Sequence, residues 1–337
     1  MIRSLTHTLK RYLRPRGLVL MYHRVAQVES DVWRLAVSPH HFEQHLQMLH
    51  TKWRVIPLAE LADDLVRQKV KRNSVAITFD DGYADNFLVA RPLLVQYRLP
   101  ATFFICSGNI GSKKAFWWDE LEHLILSSKD LPAKLNLHVA HTAISFDLGI
   151  EGHLTEAMQE QHRHWKAYVQ APPTARASLF LQLWEALRPL PSQQQQHYLQ
   201  QLKAWAGASL QKESTYSMDT AQLEELARHE LFTLGAHTVS HPDLACLPAA
   251  AQQQEMLESK AFLERCAATT VSLLAYPYGS YTQNTASLAA KAGFKAAVTT
   301  SNCPVKHGTP GYGVGRFLVD DWSGRQLDQL MSTWINA

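Results

Sequence analysis

The sequence predicts an α/β fold: a parallel sheet or barrel carrying a largely helical insertion. Three observations predict it. Short apolar runs of strand length alternate with stretches of helical periodicity, the pattern of successive βα units. Three groups of polar residues directly follow such runs, where the open end of a parallel barrel places its functional groups. Between them, from about 112 to 220, the chain turns rich in Gln, His, Trp and Leu, with few β-branched runs. Pro172-Pro173, Pro189 and Pro191 punctuate that stretch.

The elements follow in order. Ile2, Leu5, Leu9 and Leu13 recur at helical spacing beside Arg3, Lys10, Arg11, Arg14 and Arg16, so residues 1–16 are expected to form a basic amphipathic helix. Such a helix either covers the end of the fold or lies on an anionic membrane surface. Leu18 to Tyr22 reads as a buried strand that ends in His23-Arg24. Phe42, Leu46 and Leu49 mark a helix, 55–57 a short strand and 58–66 a second helix. Val75 to Phe79 is β-rich and is followed at once by Asp80-Asp81-Gly82. A helix-like stretch to about Tyr97 leads into a strand over Ala101 to Ile105. In the insertion, Trp117, Trp118, Leu121, Leu124 and Ile125 suit one helix, and Leu179, Leu183, Trp184 and Leu187 another. Strands return at 231–236, 273–276 and 296–299, with a helix near 285–292. The expected organisation is a terminal helix (1–16), a barrel from two segments (17–111 and 221–337) and the insertion (112–220). No repeat of fixed period appears.

Composition bounds the function. The chain has 337 residues, 46% hydrophobic and 19% charged, enough to bury a core without disulfide or metal staples. Disorder, collagen and coiled coil are excluded. A formal net charge of +3 gives no argument for nucleic acid. The four cysteines, Cys106, Cys246, Cys266 and Cys303, are far apart and form no CxxC pair. That speaks for a reducing compartment and against a disulfide scaffold or a Cys-rich zinc site. No apolar run reaches the roughly 18 residues of a membrane span. The run from Gly17 to Tyr22 is too short for a signal-peptide core. The expected location is the cytoplasm, with possible peripheral contact at the inner membrane face.

The polar groups carry the chemistry. Asp80 and Asp81 after a strand repel each other unless positive charge sits beside them; the plainer reading is a strand-to-helix turn with an Asp cap. His237 and His241 are four apart, so one helical turn would face both the same way, the geometry a divalent metal needs. Pro242 limits that helix to its first turn or requires a loop. Ala275-Tyr276-Pro277-Tyr278-Gly279 closes another strand, either as a rigid turn or with a backbone N–H facing a substrate oxygen. One carboxylate with two imidazoles makes an open zinc site and leaves the second carboxylate free to act as a base.

Thr78-Phe79-Asp80-Asp81-Gly82, His237-Thr238-x-x-His241-Pro242 and Tyr276-Pro277-Tyr278-Gly279, in this order, resemble the polysaccharide deacetylase (NodB-homology) family, carbohydrate esterase family 4. The resemblance covers about residues 17–110 and 221–320. It implies a distorted (β/α) barrel and a divalent metal, usually Zn2+. Carried over, Asp81, His237 and His241 are metal ligands, Asp80 is the general base, and the Tyr278 N–H helps bind the oxyanion. The family's late LxxH-type acid histidine has no convincing counterpart, and His307 sits in a Pro- and Gly-rich loop. Leu20-Met21-Tyr22-His23-Arg24-Val25 is instead similar to the N-terminal motif of the circularly permuted branch, typified by poly-N-acetylglucosamine deacetylases, which makes His23 the acid. The motif arginine that commonly holds the catalytic Asp is replaced by Ala275, and Arg316 is the expected substitute. Asp320-Asp321-Trp322 is similar to another family motif but wrongly spaced; these residues are read as structural, with Trp322 a candidate groove wall.

The implied function is metal-dependent removal of an acetyl group from an N-acetylated amino sugar in a glycan or a lipid-linked or nucleotide-linked precursor. The Trp-rich insertion would form a lid or acceptor wall, or only helix–helix core. Two alternatives stay open: a metal-independent or deformylating amidohydrolase of the same fold, and a glycan-binding protein without catalysis. Sugar, acyl group, native metal and oligomeric state are not legible.

Overall fold

The computed structural model describes residues 16–207 and 216–336. The helix expected over 1–16 lies outside the described residues, except that Arg16 opens the first strand. Among the described residues the strands are β1 (Arg16–Tyr22), β2 (Arg24–Val25), β3 (Ala36–Val37), β4 (Arg54–Val55), β5 (Ser74–Phe79), β6 (Ala101–Ile105), β7 (Lys134–Val139), β8 (Thr142–Asp147), β9 (Phe232–Ala236), β10 (Leu273–Ala275), β11 (Ala296–Val298), β12 (Val305–Lys306) and β13 (Phe317–Leu318). The main sheet runs β11-β10-β9-β6-β5-β1-β12, with β13 also on β1 and β4 on β5. All its pairings are parallel except β1 with β12. It curls into a half-barrel, the distorted barrel expected from the sequence.

Both faces of this sheet are buried, which is why its strands read as nearly unbroken apolar runs. Leu18, Leu20, Tyr22, Val75, Ile77, Phe79 and Phe103 point to one side, against the helices Pro39–Lys52 and Gly324–Trp334. Val19, Ala76, Phe104 and Leu273 point to the other, with Ala275 and Val298. A helix over Ala249–Ala267, absent from the expected elements, packs on β9.

The insertion has its own core, built from Trp117, Leu121, Leu124, Phe180, Leu183, Leu199 and their neighbours. It is not wholly helical. Beside helices such as Ala175–Leu187 and Ser192–Ala206 it contains the β7–β8 hairpin. The reason lies in Lys134–Val139, which alternates exposed and buried along its length, a half-buried strand rather than a helix. Arg176, fully buried, ties the insertion's loops together by donating to the carbonyls of Ile125, Ser128, Lys129, Glu151 and Gly152.

The insertion is sewn to the barrel by polar contacts. Tyr83 donates to Asp119 at 2.8 Å and accepts from the Trp118 indole at 3.0 Å. Within the barrel, Arg24 steadies that tyrosine, pairing with Asp85 at 3.0 Å and lying over the Tyr83 ring. Lys166 reaches Asp320 at 3.1 Å. No described helix is long and apolar enough to cross a membrane.

Two acids at this seam are pushed toward their protonated forms. Burial raises Asp119 to about 7 and Glu122 to about 8. The folded state therefore binds more protons than the unfolded chain above the ordinary carboxylate range. Stability from these groups is complete at acid pH and is lost as pH rises through about 7 to 8. A Glu122→Gln variant should gain melting temperature at pH 8 and little at pH 5; thermal unfolding at the two pH values checks it, and an equal shift at both refutes it.

Candidate active site

Strand register assembles the site. The parallel neighbours β1 and β5 are aligned at Tyr22↔Phe79, so the next residues, His23 and Asp80, emerge side by side, and the Asp80 N–H donates to Tyr22 O at 2.9 Å. Strands β6 and β9 are aligned at Ile105↔Ala236, which brings Cys106 beside His237. Strand β10 ends at Ala275, leading into Tyr276 to Tyr278. Five strands thus deliver functional groups to one sheet edge, the C-terminal edge that carries sites in parallel α/β folds.

The turns that follow hold unusual backbone. Asp81 (φ 72°), Thr238 (φ 66°), His241 (φ 56°) and Tyr278 (φ 57°) are all left-handed. A residue other than glycine there costs roughly 1–3 kcal/mol and persists only where its surroundings over-determine it. Residues His237 to His241 are accordingly a loop, not the helical turn that their spacing suggested; two left-handed residues and Pro242 forbid the helix. Their rings still meet, with centroids 4.8 Å apart. Glu255, from the helix behind, pins the loop by accepting from the N–H groups of Val239 and Ser240 and from the Ser240 hydroxyl.

Asp80 and Asp81 are each about 2% exposed. Arg316, fully buried, forms a two-point fork to Asp80: Nη1 to Oδ1 at 2.6 Å and Nη2 to Oδ2 at 2.7 Å. Its Nε donates to Thr299 O, and its plane lies over Phe104. Gly235 makes that stack feasible, since a Cβ there would fall 2.4 Å from the Phe104 ring. Burial alone would raise the Asp80 pKa, but Arg316 and His237 outweigh it and hold the carboxyl well below its usual range. Arg316 thus occupies the place that Ala275 leaves without an arginine.

Asp81 has no such cation. Its Oδ1 is buried without a hydrogen-bond partner among the described residues. That oxygen lies 3.5 Å from His237 Nε2 and 3.5 Å from His241 Nε2. Burial, with Asp80 beside it, pushes the Asp81 pKa well up, while burial pushes both histidines down. The His237 ring is oriented by its Nδ1, which donates to Ala275 O at 2.8 Å. An unpaired carboxylate facing two neutral imidazoles, one held by a carbonyl behind it, is a donor set that fits a divalent cation.

Cys106 belongs to the same cluster. Its sulfur, the two imidazoles and an Asp81 oxygen lie within 4.8 Å of one another, and the buried thiol donates to His237 O at 3.3 Å. Cysteine spacing spoke only against a Cys-rich zinc site, which a single cysteine beside two histidines does not contradict; the signal for Cys106 was its place directly after an apolar strand, as with Asp80 and His237.

His23, Asp80, Asp81, His237, His241 and Tyr278 line one cavity of about 430 Å³. His23 Nδ1 is buried without a partner among the described residues, and burial lowers the ring's pKa to about 4. The insertion supplies Trp118, Tyr168, Trp184 and Arg188 to the wall, and Trp33 comes from the barrel segment. Trp117 and Trp165 instead sit in the insertion's core. Trp322 is not a groove wall: it packs near Trp334, and its carbonyl accepts from His45. Asp321 accepts from Ser38 and His41, and His307 is exposed on its loop.

The fork sets a testable stability. An Arg316→Met variant strands Asp80 as a buried unpaired charge, expected to cost about 3–5 kcal/mol. Arg316→Lys should lose less, because it keeps the charge without the two-point geometry. Chemical denaturation of the three proteins checks the order.

Comparison with known proteins agrees with this geometry. A family profile described as polysaccharide deacetylase matches residues 67–131 and 194–297, leaving 132–193 of the insertion unmatched. The Bacillus subtilis protein named "Putative polysaccharide deacetylase YxkH" is 23% identical over 284 residues, covering 84% of this chain and 63% of its own length. A Staphylococcus aureus poly-beta-1,6-N-acetyl-D-glucosamine N-deacetylase is 28% identical over 116 residues, 31% of this chain and 40% of that protein. The chain therefore spans less than two thirds of these curated relatives. Among solved structures, IcaB from Ammonifex degensii aligns at a TM-score of 0.58 and 20% identity, over 96% of this chain and 98% of its own. The Streptococcus pyogenes deacetylase PplD aligns at 0.58 and 19% identity, over 94% and 98%. With half of its length matched and the motifs gathered at one sheet edge, the chain belongs to the polysaccharide deacetylase (NodB-homology) family, carbohydrate esterase family 4, a family of hydrolases acting on carbon–nitrogen bonds.

Proposed function

We propose that the protein is a metal-dependent N-deacetylase that removes the acetyl group from an N-acetylated amino sugar in a glycan or glycan precursor. One observation carries the reading: two adjacent buried carboxylates have been given different partners, Asp80 an arginine fork and Asp81 a pair of neutral imidazoles. Asp81, His237 and His241 would hold the metal, most plausibly zinc, given nitrogen and carboxylate donors in a buried site. When bound, that ion would supply Lewis acidity and bring the pKa of a water toward about 7.

The chain's own residues supply the rest. Asp80 stays ionised and oriented by Arg316, ready to accept the proton that the attacking water gives up. The Tyr278 N–H, on the turn after β10, would donate to the acetamide oxygen as negative charge develops there. His23 faces the same cavity and is assigned the proton donation to the departing amine. Burial lowers the pKa of this ring and Asp80 beside it works the other way, so negative charge in the site favours the protonated form that the role needs. The aromatic walls suit sugar rings, whose apolar faces stack on indole and phenol. The relative named for poly-N-acetylglucosamine supports an acetylated amino-sugar substrate. The reading without catalysis drew its force from the missing motif arginine, and the Arg316 fork removes that reason.

Elemental analysis of the dialysed protein should find about one zinc or similar ion per chain, lost in His237→Ala. No metal in either sample, even after zinc or cobalt is added, refutes the mechanism. Acetate release from N-acetylglucosamine oligosaccharides should fall at least about 100-fold in Asp80→Asn with the metal retained. His23→Ala should lower kcat in the same assay, and an unchanged kcat removes His23 from its role.

A further inference from the structure

The insertion sends one charged side chain into the catalytic cavity, and the mechanism above does not use it. Arg188 caps the C-terminus of the helix Ala175–Leu187 and lines the cavity. Its Nε and Nη2 both donate to Asp243 Oδ2, at 3.1 and 2.7 Å. The Asp243 side chain is only 2% exposed and stands two residues after His241. The same guanidinium lies over the Tyr278 ring at 5.2 Å and over Trp184 at 5.5 Å. The Tyr278 ring packs edge-on against His241, with centroids 4.5 Å apart. One cation from outside the barrel therefore touches both the loop after β9 and the turn after β10.

We propose that Arg188 is a positioning residue: through Asp243 and Tyr278 it fixes His241 and the Tyr278 turn, so that the insertion completes a site that the barrel alone leaves loose. The inference rests on the deacetylase reading above. The physical need is visible in the backbone, since His241 and Tyr278 both sit in left-handed conformations that only a restraining neighbourhood maintains. Asp243 supplies the anchor, because a buried carboxylate holds its cation tightly. Partners behind a ligand commonly govern how well it binds.

The test measures zinc affinity by chelator competition, together with kcat and KM on an N-acetylglucosamine oligosaccharide. Arg188→Met should weaken zinc binding roughly 10–100-fold and lower kcat with little change in KM. Arg188→Lys should recover part of both, because it keeps the charge and loses the fork. Asp243→Asn, which removes the carboxylate instead of stranding it, should shift zinc affinity in the same direction and serves if Arg188→Met fails to fold. If wild type binds zinc and Arg188→Met and Asp243→Asn bind it equally well, the proposal is overturned and the deacetylase reading stands. A rise in KM alone also overturns it and makes Arg188 a substrate contact. A wild-type chain that binds no zinc overturns the deacetylase reading, and the inference with it.

Discussion

Two buried carboxylates on consecutive residues are the constraint around which the rest of this protein is arranged. Asp80 and Asp81 follow one strand, are almost inaccessible, and repel each other. A fold can bury such a pair only by giving each a different compensation. Arg316 arrives from far along the chain, stacked on Phe104 above a glycine that leaves room for the ring. On the other side stand His237 and His241, from a loop that Glu255 holds from behind. Neither neighbour belongs to the strand that carries the carboxylates, so the site exists only when the parallel sheet is complete.

The insertion takes part in that completion. Its core includes Tyr83, which stands two residues after Asp81, and Cys106, which lies against His237. The Trp118 ring rests 4.6 Å from His241. A removable lid would leave the loop of His237 and His241 packed on barrel residues alone. Here the indole packs on His241 itself, so the insertion and that loop share one packed surface.

Much of this was legible in the sequence, and the exceptions have physical reasons. The sheet strands were readable because both their faces are buried, which writes each as an apolar run. The three polar groups were readable because each directly follows such a run. Arg316 was reachable only through the family resemblance, whose motif arginine is replaced by Ala275, so that an arginine after a glycine-rich stretch became the expected substitute. The β7–β8 hairpin was hidden by the helical stretches around it, although the alternation in Lys134–Val139 was there to read. The loop conformation of His237 to His241 was one of the two alternatives that Pro242 left open, and left-handed backbone at Thr238 and His241, which decides between them, leaves no mark in residue type. Glu255 was equally silent: nothing in the sequence separates a carboxylate that caps a distant loop from one in solvent. Cys106 was not singled out as a neighbour of the two histidines, because cysteine spacing reports only on partners that are close in sequence.

The different fates of the two carboxylates bear on how the reaction can run. Arg316 holds the Asp80 carboxyl below its ordinary range and so keeps it ionised. On the proposed reading any carboxylate is a weak base toward ordinary water, since proton transfer follows the difference in pKa. It becomes useful only beside a water that has been made acidic, and Asp81, His237 and His241 are the donors that could hold the ion to do so. On the proposed reading the clamp and the donor set are complementary: the first would keep the base ionised and oriented, and the second would hold the ion that makes its water acidic. Two neighbouring carboxyl groups given different partners, an arginine fork and a pair of imidazoles, are how one turn of chain can carry two distinct roles.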